Sequence, residues 1–386
     1  MDIKTLDNEY VAHTYARFPV AFVGGHGSVL TDDTGKQYID LGTGIAVNVF
    51  GAADPLWQEA VTKQIAALPH ASNLYYTEPC ARLAQMLCER TGMKKVFFGN
   101  SGAEANECAI KAARKYAAEK KGAEFSTIIT LENSFHGRTI TTLAATGQEH
   151  YHELFQPLTP GFVHAKANDL PGLIALAEQN KVAAIMIEMI QGEGGVNALD
   201  RDFVLGLSDY AKKNDILVIV DEVQTGNGRT GALYAYQNFG IMPDIVSTAK
   251  GIGGGLPLGA CMLGEKVEFV LGFGDHGSTF GGNPVCCAGA VSILSRIDDD
   301  MLAAVREKSA YIFGELSGAE GVEGVSGMGL MIGIKTTKPA AEVLSYCTEH
   351  GVLCLTAKDK VRLLPALNIP MDVLKEAVAV IKEACK

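Results

Sequence analysis

The chain has 386 residues, of which 47% are hydrophobic and 20% are charged, and its formal net charge at pH 7 is −11. This profile is typical of a soluble globular protein of two or three domains with a large buried core. The acidic balance argues against general nucleic-acid binding, which needs a basic surface, although a local basic patch could still bind an anionic small molecule.

The N-terminal third of the sequence changes from strand-like to helical. The opening 50 residues are irregular and strand-like, and residues 28–41 predict a β-hairpin around the turn residues Asp32, Asp33 and Gly35. From about residue 55 to 120 helical patterns dominate. The clearest helix is predicted over residues 103–121, which are rich in Ala, Glu and Lys.

The middle of the chain alternates short β-branched runs with helical segments. This pattern indicates an α/β domain with a mainly parallel sheet that is buried on both faces. From about residue 283, long helical stretches with short strand-like runs predict a smaller α+β domain that ends in a helix over residues 372–385. We therefore predict an N-terminal segment (1–50) that packs with the small domain, a large domain (51–282) and a small C-terminal domain (283–386).

The cysteines and the N-terminus bear on location and on metal binding. The nine cysteines form no C-x-x-C pair, which favours reduced, mostly buried thiols over a zinc or redox site. The polar, acidic N-terminus has no apolar h-region, and no apolar stretch approaches the ~20 residues that span a bilayer. We expect a cytoplasmic protein with no membrane span and no metal site.

A first candidate site lies in residues 100–107, NSGAEANE, between a predicted strand and the long helix. The spacing from Ser101 to Glu104 fits a capping box, and on spacing alone that is the preferred interpretation. The alternative is an anion site, because a helix N-terminus offers free N–H groups and the small residues Ser101, Gly102 and Ala103 permit close approach.

Two charged residues follow strongly β-rich runs. Asp221 ends an apolar strand, where it forms either a structural ion pair or cap, or an anion held for a cation such as a protonated pyridine nitrogen. Lys250 precedes a run of glycines. A loop lysine is usually solvated, but these apolar flanks favour a crowded site in which the amine loses its proton readily and suits Schiff-base chemistry.

Three arginines and three misleading motifs remain. Arg138, Arg229 and Arg362 could each be a surface charge, but the apolar flanks of Arg362 favour a bound carboxylate or an internal ion pair. Residues 226–231 match G-x-G-x-x-G without an obvious following helix, and residues 247–250 match S-x-x-K without its companion motifs. The pair His150 and His152 lacks a third ligand, so a polar loop is preferred to a metal site.

Seven blocks in order along the chain resemble the class III aminotransferases of PLP fold type I. They are NSGAEANE, SFHGRT, EMIQGEGG, DEVQTGNGRTG, STAKGIGGG, STFGGNP and VRLLPALNI. Two N-terminal blocks, residues 42–51 and 70–79, resemble the members that act on acetylornithine. The resemblance covers nearly the whole chain.

The resemblance implies pyridoxal 5'-phosphate as cofactor and assigns residues to it. Lys250 carries the cofactor as a Schiff base and then moves protons, and Asp221 pairs with the pyridinium nitrogen. The other implied contacts are Phe135 and Val223 on the ring faces, Gln224 at the ring hydroxyl, and Ser101, Gly102 and Ala103 at the phosphate. Thr279 would complete the phosphate site of a neighbouring subunit and Ser278 would face its substrate, which implies a homodimer with shared sites.

The resemblance also implies the substrates. Arg138 matches the binder of the donor's α-carboxylate, Arg362 the binder of glutamate's α-carboxylate, and Glu193 a gate that neutralises Arg362. The implied reaction converts N2-acetylornithine and 2-oxoglutarate into N-acetylglutamate 5-semialdehyde and glutamate, a step of arginine biosynthesis. Departures from the family pattern at residues 51–55, at Met189 and at residues 362–369 leave the amine donor less defined than the cofactor.

Several other functions stay open at this point. Succinylornithine, ornithine, 4-aminobutyrate or N-succinyldiaminopimelate could replace acetylornithine on the same scaffold. A PLP-dependent isomerase such as an aminomutase would need no external oxo acid. The glycine pattern at residues 226–231 would instead suggest an NAD-linked oxidoreductase.

Overall fold

The structure, a computed structural model, describes residues 2–386. The strands, numbered in chain order, are β1 (Phe22–His26), β2 (Val29–Asp32), β3 (Gln37–Asp40), β4 (Lys95–Gly99), β5 (Thr127–Leu131), β6 (Phe162–Ala165), β7 (Val182–Ile187), β8 (Ile190–Gln191), β9 (Asn197–Ala198), β10 (Leu217–Asp221), β11 (Ile245–Thr248), β12 (Gly259–Leu263), β13 (Val322–Met328), β14 (Met331–Thr336), β15 (Val352–Leu353), β16 (Leu355–Ala357) and β17 (Lys360–Leu363). The helices are α1 (Ile3–Tyr10), α2 (Thr43–Ala46), α3 (Pro55–Ala67), α4 (Glu78–Thr91), α5 (Gly102–Lys121), α6 (Ile140–Ala145), α7 (Leu170–Gln179), α8 (Arg201–Lys213), α9 (Tyr236–Phe239), α10 (Pro284–Leu294), α11 (Asp299–Leu316), α12 (Ala340–Glu349) and α13 (Met371–Cys385), with 3₁₀ turns at Glu149–Tyr151 and Lys250–Ile252.

A seven-stranded sheet in the order β4-β12-β11-β10-β7-β5-β6 forms the centre of the molecule. Neighbours from β11 to β6 pair in parallel, and only β12 runs antiparallel to its two neighbours. Strands β7 and β10 are buried along their whole length, as expected for β-branched runs covered on both faces. The predicted α/β fold with a mainly parallel sheet is therefore confirmed.

The parallel strands bring distant segments of the sequence to one edge of the sheet. Strand β4 is antiparallel to β12, so it points the same way as β5, β10 and β11. Ser101, Phe135 and Lys250 lie just after β4, β5 and β11, and Asp221 is the last residue of β10. Because ligands bind at the carboxyl ends of strands in open α/β sheets, this edge is where a site is expected.

Two smaller sheets involve the C-terminal part of the chain. The predicted hairpin at residues 28–41 is present as β2 and β3, which join β1 and the C-terminal strand β15 in a four-stranded sheet. The second sheet has the order β13-β14-β17-β16 and contains Arg362 on β17. Helix α10 packs against α3 and α4. The division of the chain at residues 50 and 282 stays a prediction.

The turn α2 has an unusual backbone. Thr43, Gly44, Ile45 and Ala46 all have positive φ angles, between 47° and 64°. Such angles disfavour residues with a Cβ and persist only where the surroundings impose them. Here the Thr43 hydroxyl donates to the carbonyl of Leu364 at 2.6 Å, which ties the turn to the segment that follows β17.

No helix in residues 2–386 is both long and apolar enough to cross a bilayer. All nine cysteines carry free thiols, and Cys80, Cys88 and Cys286 are the ones that are not fully buried.

Candidate active site

A cavity of about 620 Å³ opens at the carboxyl edge of the central sheet. It gathers residues that lie far apart in the sequence, from Tyr15 to Leu258. The predicted site residues that line it are Ser101, Gly102, Ala103, Phe135, Arg138, Asp221, Val223, Gln224 and Lys250. The cavity also contains Tyr15, Asn106, His136 and Glu188, which the sequence analysis did not assign to the site.

Lys250 begins the 3₁₀ turn that follows β11. Its φ of 48° lies in the left-handed region, and its side chain lines the cavity. Burial lowers the pKa of the Lys250 amine because it removes water from the ammonium, and Arg362 also lowers it, while the negative charge of Glu193 acts in the opposite direction. A lowered pKa leaves more of the neutral amine, which is the nucleophilic form.

Asp221 is 4% exposed and accepts hydrogen bonds on both carboxylate oxygens. Oδ2 accepts from His136 Nδ1 and from Asn106 Nδ2, each at 2.8 Å, and Oδ1 accepts from the backbone N–H of Val223 at 3.0 Å. These donors compensate the cost of burying the carboxylate. The carboxylate is thus held in one orientation at the base of the cavity.

His136 and Asn106 line the cavity and hold Asp221, and sequence reasoning missed both of them. Desolvation acts to lower the pKa of His136, but the hydrogen bond to Asp221 and its charge outweigh that effect and raise the pKa. In residues 2–386, His136 Nε2 and Asn106 Oδ1 are buried without a hydrogen-bond partner. His136 lies in the block SFHGRT and Asn106 in the block NSGAEANE. The only feature that could have indicated their role is that each is a polar residue within a segment of mostly buried residues.

The N-terminus of α5 combines the two interpretations of Ser101 and Glu104. Ser101 Oγ accepts from the N–H of Glu104 at 3.1 Å, which is one half of the predicted capping box. The Glu104 carboxylate accepts from the N–H of Asn100 and not from that of Ser101, so the reciprocal bond of the box is replaced by a bond to the preceding residue. Among the hydrogen bonds of residues 2–386, the N–H groups of Gly102 and Ala103 find no acceptor. These two groups, at the positive end of a 20-residue helix, could hold a phosphate.

Close packing requires glycine at two positions that line the cavity, Gly102 at the start of α5 and Gly137. A Cβ on Gly102 would lie 2.7 Å from Cγ1 of Val223. Gly137 has a φ of 140°, and a Cβ there would lie 2.4 Å from Oγ1 of Thr142. Both glycines therefore keep the walls of the cavity close together.

Glu188 is a second buried carboxylate of the site, and the sequence analysis assigned it no role. Its Oε2 accepts from the N–H of Phe135 at 3.0 Å and its Oε1 from the N–H of Gly192 at 3.4 Å. Burial raises the pKa of Glu188 to about 8, although His136 acts to lower it. Glu188 thereby supports the segment that carries Phe135.

Glu188→Gln is expected to change the pH dependence of stability. A carboxyl whose pKa is raised from 4.5 to about 8 on folding stabilises the protein fully below pH 4.5 and loses that contribution as the pH rises to about 8. Relative to wild type, the free energy of unfolding of the variant should therefore rise with pH, by at most about 1.4 kcal/mol per unit. Urea unfolding at pH 5, 6, 7 and 8 measures this difference. A difference that stays constant over the range would contradict the expectation.

Glu193, Arg362 and Gln224 form a network beside the cavity. Arg362 Nη1 donates to Glu193 Oε1 at 2.6 Å and to Gln224 Oε1 at 3.2 Å. Burial acts to raise the pKa of Glu193, but Arg362, Lys250 and Gln224 outweigh it and lower the pKa. The Arg362 side chain is 4% exposed and that of Glu193 is 28% exposed, so the carboxylate is the more accessible partner.

The other two arginines differ from Arg362. Arg138 is exposed and lines the cavity, with its guanidinium over the rings of Tyr151 and Phe135. Arg229 is 1% exposed, lies outside the cavity lining and donates to the carbonyls of Leu330 and Pro365. Burial lowers the pKa of Arg229 to about 9. Its bonds tie the loop at residues 226–231 to the C-terminal sheet, and no dinucleotide-type helix follows this loop.

Ser278 and Thr279 do not line the cavity of their own chain. Ser278 Oγ accepts from Asn100 Nδ2 at 3.2 Å and from the N–H of Gly281 at 2.9 Å, and Thr279 is exposed. Their expected contact with a neighbouring subunit's site stays a prediction.

Comparisons with known proteins agree with this geometry. The family described as Aminotransferase class-III matches residues 10–385. An acetylornithine aminotransferase of Haemophilus ducreyi is 50% identical over 383 residues, which cover 99% of this chain and 98% of the relative. An acetylornithine aminotransferase of Aquifex aeolicus is 44% identical over 376 residues, which cover 97% and 99%.

Solved structures share the fold over nearly the full length. The ornithine aminotransferase from Toxoplasma gondii ME49 superposes with a TM-score of 0.95 at 30% identity and covers 99% of this chain and 94% of that chain. The N-acetylornithine aminotransferase from Stenotrophomonas maltophilia K279a has a TM-score of 0.86 at 32% identity, with 98% and 97% covered.

Proposed function

The chain belongs to the class III aminotransferases, which use pyridoxal 5'-phosphate, and on this basis we propose that it transfers the terminal amino group of N2-acetylornithine to 2-oxoglutarate. The products are N-acetylglutamate 5-semialdehyde and glutamate, which makes the reaction a step of arginine biosynthesis. The observation that carries the two-substrate chemistry is the Glu193–Arg362 ion pair beside Lys250. Full-length similarity to relatives named for acetylornithine supports the donor.

The residues at the cavity fit the cofactor. The unpartnered N–H groups of Gly102 and Ala103 would hold its phosphate, and the buried carboxylate of Asp221 would face its ring nitrogen. Phe135 and Val223 would contact the two ring faces, and Gln224 the ring hydroxyl. When bound, the cofactor accepts the amino group from the donor and passes it to the oxo acid, with its ring as an electron sink.

The chain's own groups divide the remaining work. The Lys250 amine would hold the cofactor covalently and then move the proton at the substrate carbon that bears the amino group. Asp221 would keep a proton on the ring nitrogen, because a fixed carboxylate raises the pKa of a nearby nitrogen base. Arg138, which has aromatic but no acidic partners in residues 2–386, would bind the α-carboxylate of the donor.

Glu193 would act as the gate between the two substrates. With the amine donor bound, it neutralises Arg362, because the reacting end of that donor carries no carboxylate. With glutamate bound, its α-carboxylate would replace Glu193 on the guanidinium, since arginine can exchange one carboxylate for another. The greater exposure of Glu193 supports its being the partner that moves.

Glu193→Gln should therefore shift the enzyme toward glutamate. The unneutralised Arg362 would disfavour the donor's reacting end, which carries an amine and no carboxylate, and would bind glutamate without displacing Glu193. We expect kcat/KM for N2-acetylornithine to fall about tenfold or more relative to kcat/KM for glutamate, the order of one lost charge-assisted bond. Steady-state kinetics in each direction measure this ratio. An unchanged ratio would count against the gate.

The proposal includes a homodimer with shared sites in the cytoplasm. Exposed aromatic residues support the dimer: Tyr76 and Phe273 are fully exposed, and Phe280, next to Thr279, is 60% exposed. Large exposed apolar side chains of this kind are typical of a surface that another chain covers. Nine free thiols support a reducing compartment.

The visible spectrum of the holoenzyme tests the function directly. Adding N2-acetylornithine without an oxo acid should remove the visible band of the Lys250-bound cofactor, and 2-oxoglutarate should restore it. In the alternative outcome, the band disappears with another amine, namely ornithine, 4-aminobutyrate, succinylornithine or N-succinyldiaminopimelate, and not with N2-acetylornithine. That result would identify a different amine donor for the same aminotransferase chemistry. Turnover without any oxo acid would instead indicate an aminomutase.

A further inference from the structure

The guanidinium of Arg138 is held by aromatic rings. Its central carbon lies 4.1 Å from the centroid of the Tyr151 ring and 5.6 Å from that of Phe135. In the described part of the chain, residues 2–386, no carboxylate oxygen lies within 4.0 Å of an Arg138 nitrogen, the limit for a salt bridge. Stacking on a ring face stabilises the cation but uses none of its N–H donors. The donating edge of Arg138 therefore stays available to a carboxylate.

The position of Tyr151 is imposed from both sides. Before it, Gln148 Nε2 donates to the carbonyl of Ser134 at 3.0 Å. After it, His152 Nε2 lies 2.8 Å from the carbonyl of Leu143 and 2.7 Å from that of Thr146, so it donates to this pair. These bonds fasten the 3₁₀ turn Glu149–Tyr151 to the end of α6.

Arg138 and Tyr151 are attached to the same local frame. Arg138 lies two residues before α6, and the carbonyls that hold His152 lie in the last turn of that helix and just after it. The ring of His150 lies 3.8 Å from that of Tyr151, centroid to centroid, and further limits its movement. The distance between the Tyr151 ring and the guanidinium is therefore set by contacts within residues 134–152.

We propose that Tyr151 is a positioning residue that determines specificity for substrates with a distal carboxylate. Its ring holds the Arg138 guanidinium in place so that both N–H donors of one edge meet the α-carboxylate of the amine donor. The inference rests on the proposed role of Arg138 and adds the residue that orients it.

The test is a double-mutant cycle on the holoenzyme. Tyr151→Leu removes the ring and should lower kcat/KM for N2-acetylornithine about five- to twentyfold, whereas Tyr151→Phe keeps the ring and should stay within about twofold. In an Arg138→Leu background, Tyr151→Leu should cause no further loss. An equal loss in both backgrounds would overturn the proposal, because it would show that the ring acts on something other than Arg138.

A truncated donor separates positioning from a general structural effect. N-(4-aminobutyl)acetamide is acetylornithine with hydrogen in place of the α-carboxylate, so its slow turnover should be the same in wild type and Tyr151→Leu. An equal fold-loss for both donors would overturn the proposal. Tyr346→Leu is a matched control, since Tyr346 stacks on His350 at 3.9 Å on the remote helix α12, and its kinetics should match wild type.

Binding can be measured without turnover. N-acetylnorvaline keeps the α-carboxylate but lacks the terminal amine, so calorimetry with it should show the same five- to twentyfold weakening in Tyr151→Leu and none in Tyr151→Phe. If acylated ornithines did not react at all, the proposed function would fail. The cycle would still decide the role of Tyr151 with 4-aminobutyrate as donor and propylamine as its truncated control.

Discussion

Lys250→Ala is expected to abolish transamination, with a fall in kcat of at least about 10³-fold. The amine has two tasks in the proposed mechanism, since it holds the cofactor and moves the substrate proton, and alanine can do neither. The buried surroundings that lower the pKa of Lys250 remain in the variant, so the cavity should still bind the cofactor without a covalent bond. Steady-state kinetics and borohydride reduction, which should no longer fix the cofactor to the chain, measure both effects.

A matched variant and a rescue experiment make this result specific. Lys308 is also buried, and burial likewise lowers its pKa, but its amine donates to the carbonyl of Leu367 on the C-terminal side of the molecule. Lys308→Met should cost stability and leave kcat within about twofold. A small primary amine such as methylamine should partly restore Lys250→Ala, because it fits the vacated space and can move the proton. An NAD-linked oxidoreductase would instead retain its activity in Lys250→Ala.

Part of the site follows from the sequence pattern once the sheet is known to be mainly parallel. Asp221 and Lys250 each follow an apolar β-rich run, and a parallel sheet brings such run-ends together, which the structure confirms. Composition did not predict the antiparallel direction of β12, although the link from Lys250 to Gly259 is too short for a parallel crossover. Short connections thus held information about strand direction that composition did not.

The residues that hold Asp221 could not be found in this way. His136 lies 85 positions from Asp221 and Asn106 lies 115 positions from it. A single polar residue in a buried segment has many possible partners, and one sequence does not say which of them it meets. The left-handed turn at Thr43–Ala46 is similar, because Thr, Ile and Ala do not favour positive φ and the contact with Leu364 that holds them is 321 positions away.

Asp221→Asn is expected to lower kcat about 10²- to 10³-fold, the magnitude typical of losing one preorganised electrostatic group. The amide has the size of the carboxylate but carries no charge, so it would no longer hold a proton on the ring nitrogen. The amide nitrogen would also meet one of the donors that now point at the carboxylate, Asn106 Nδ2, His136 Nδ1 or the N–H of Val223. Part of the change would therefore appear in stability, and unfolding by urea must be measured beside the kinetics.

The neighbouring carboxylate provides the control for this prediction. Glu222 follows Asp221 directly but accepts hydrogen bonds from Thr225 and from the N–H groups of Ala235 and Tyr236, and burial raises its pKa to about 7. Glu222→Gln also places an amide among buried donors, so it should reduce stability comparably while kcat stays within about threefold. Equal losses of kcat in the two variants would mean that the strand end tolerates no amide and that the charge of Asp221 has no special role. A large loss confined to Asp221→Asn would assign that loss to the charge facing the ring nitrogen.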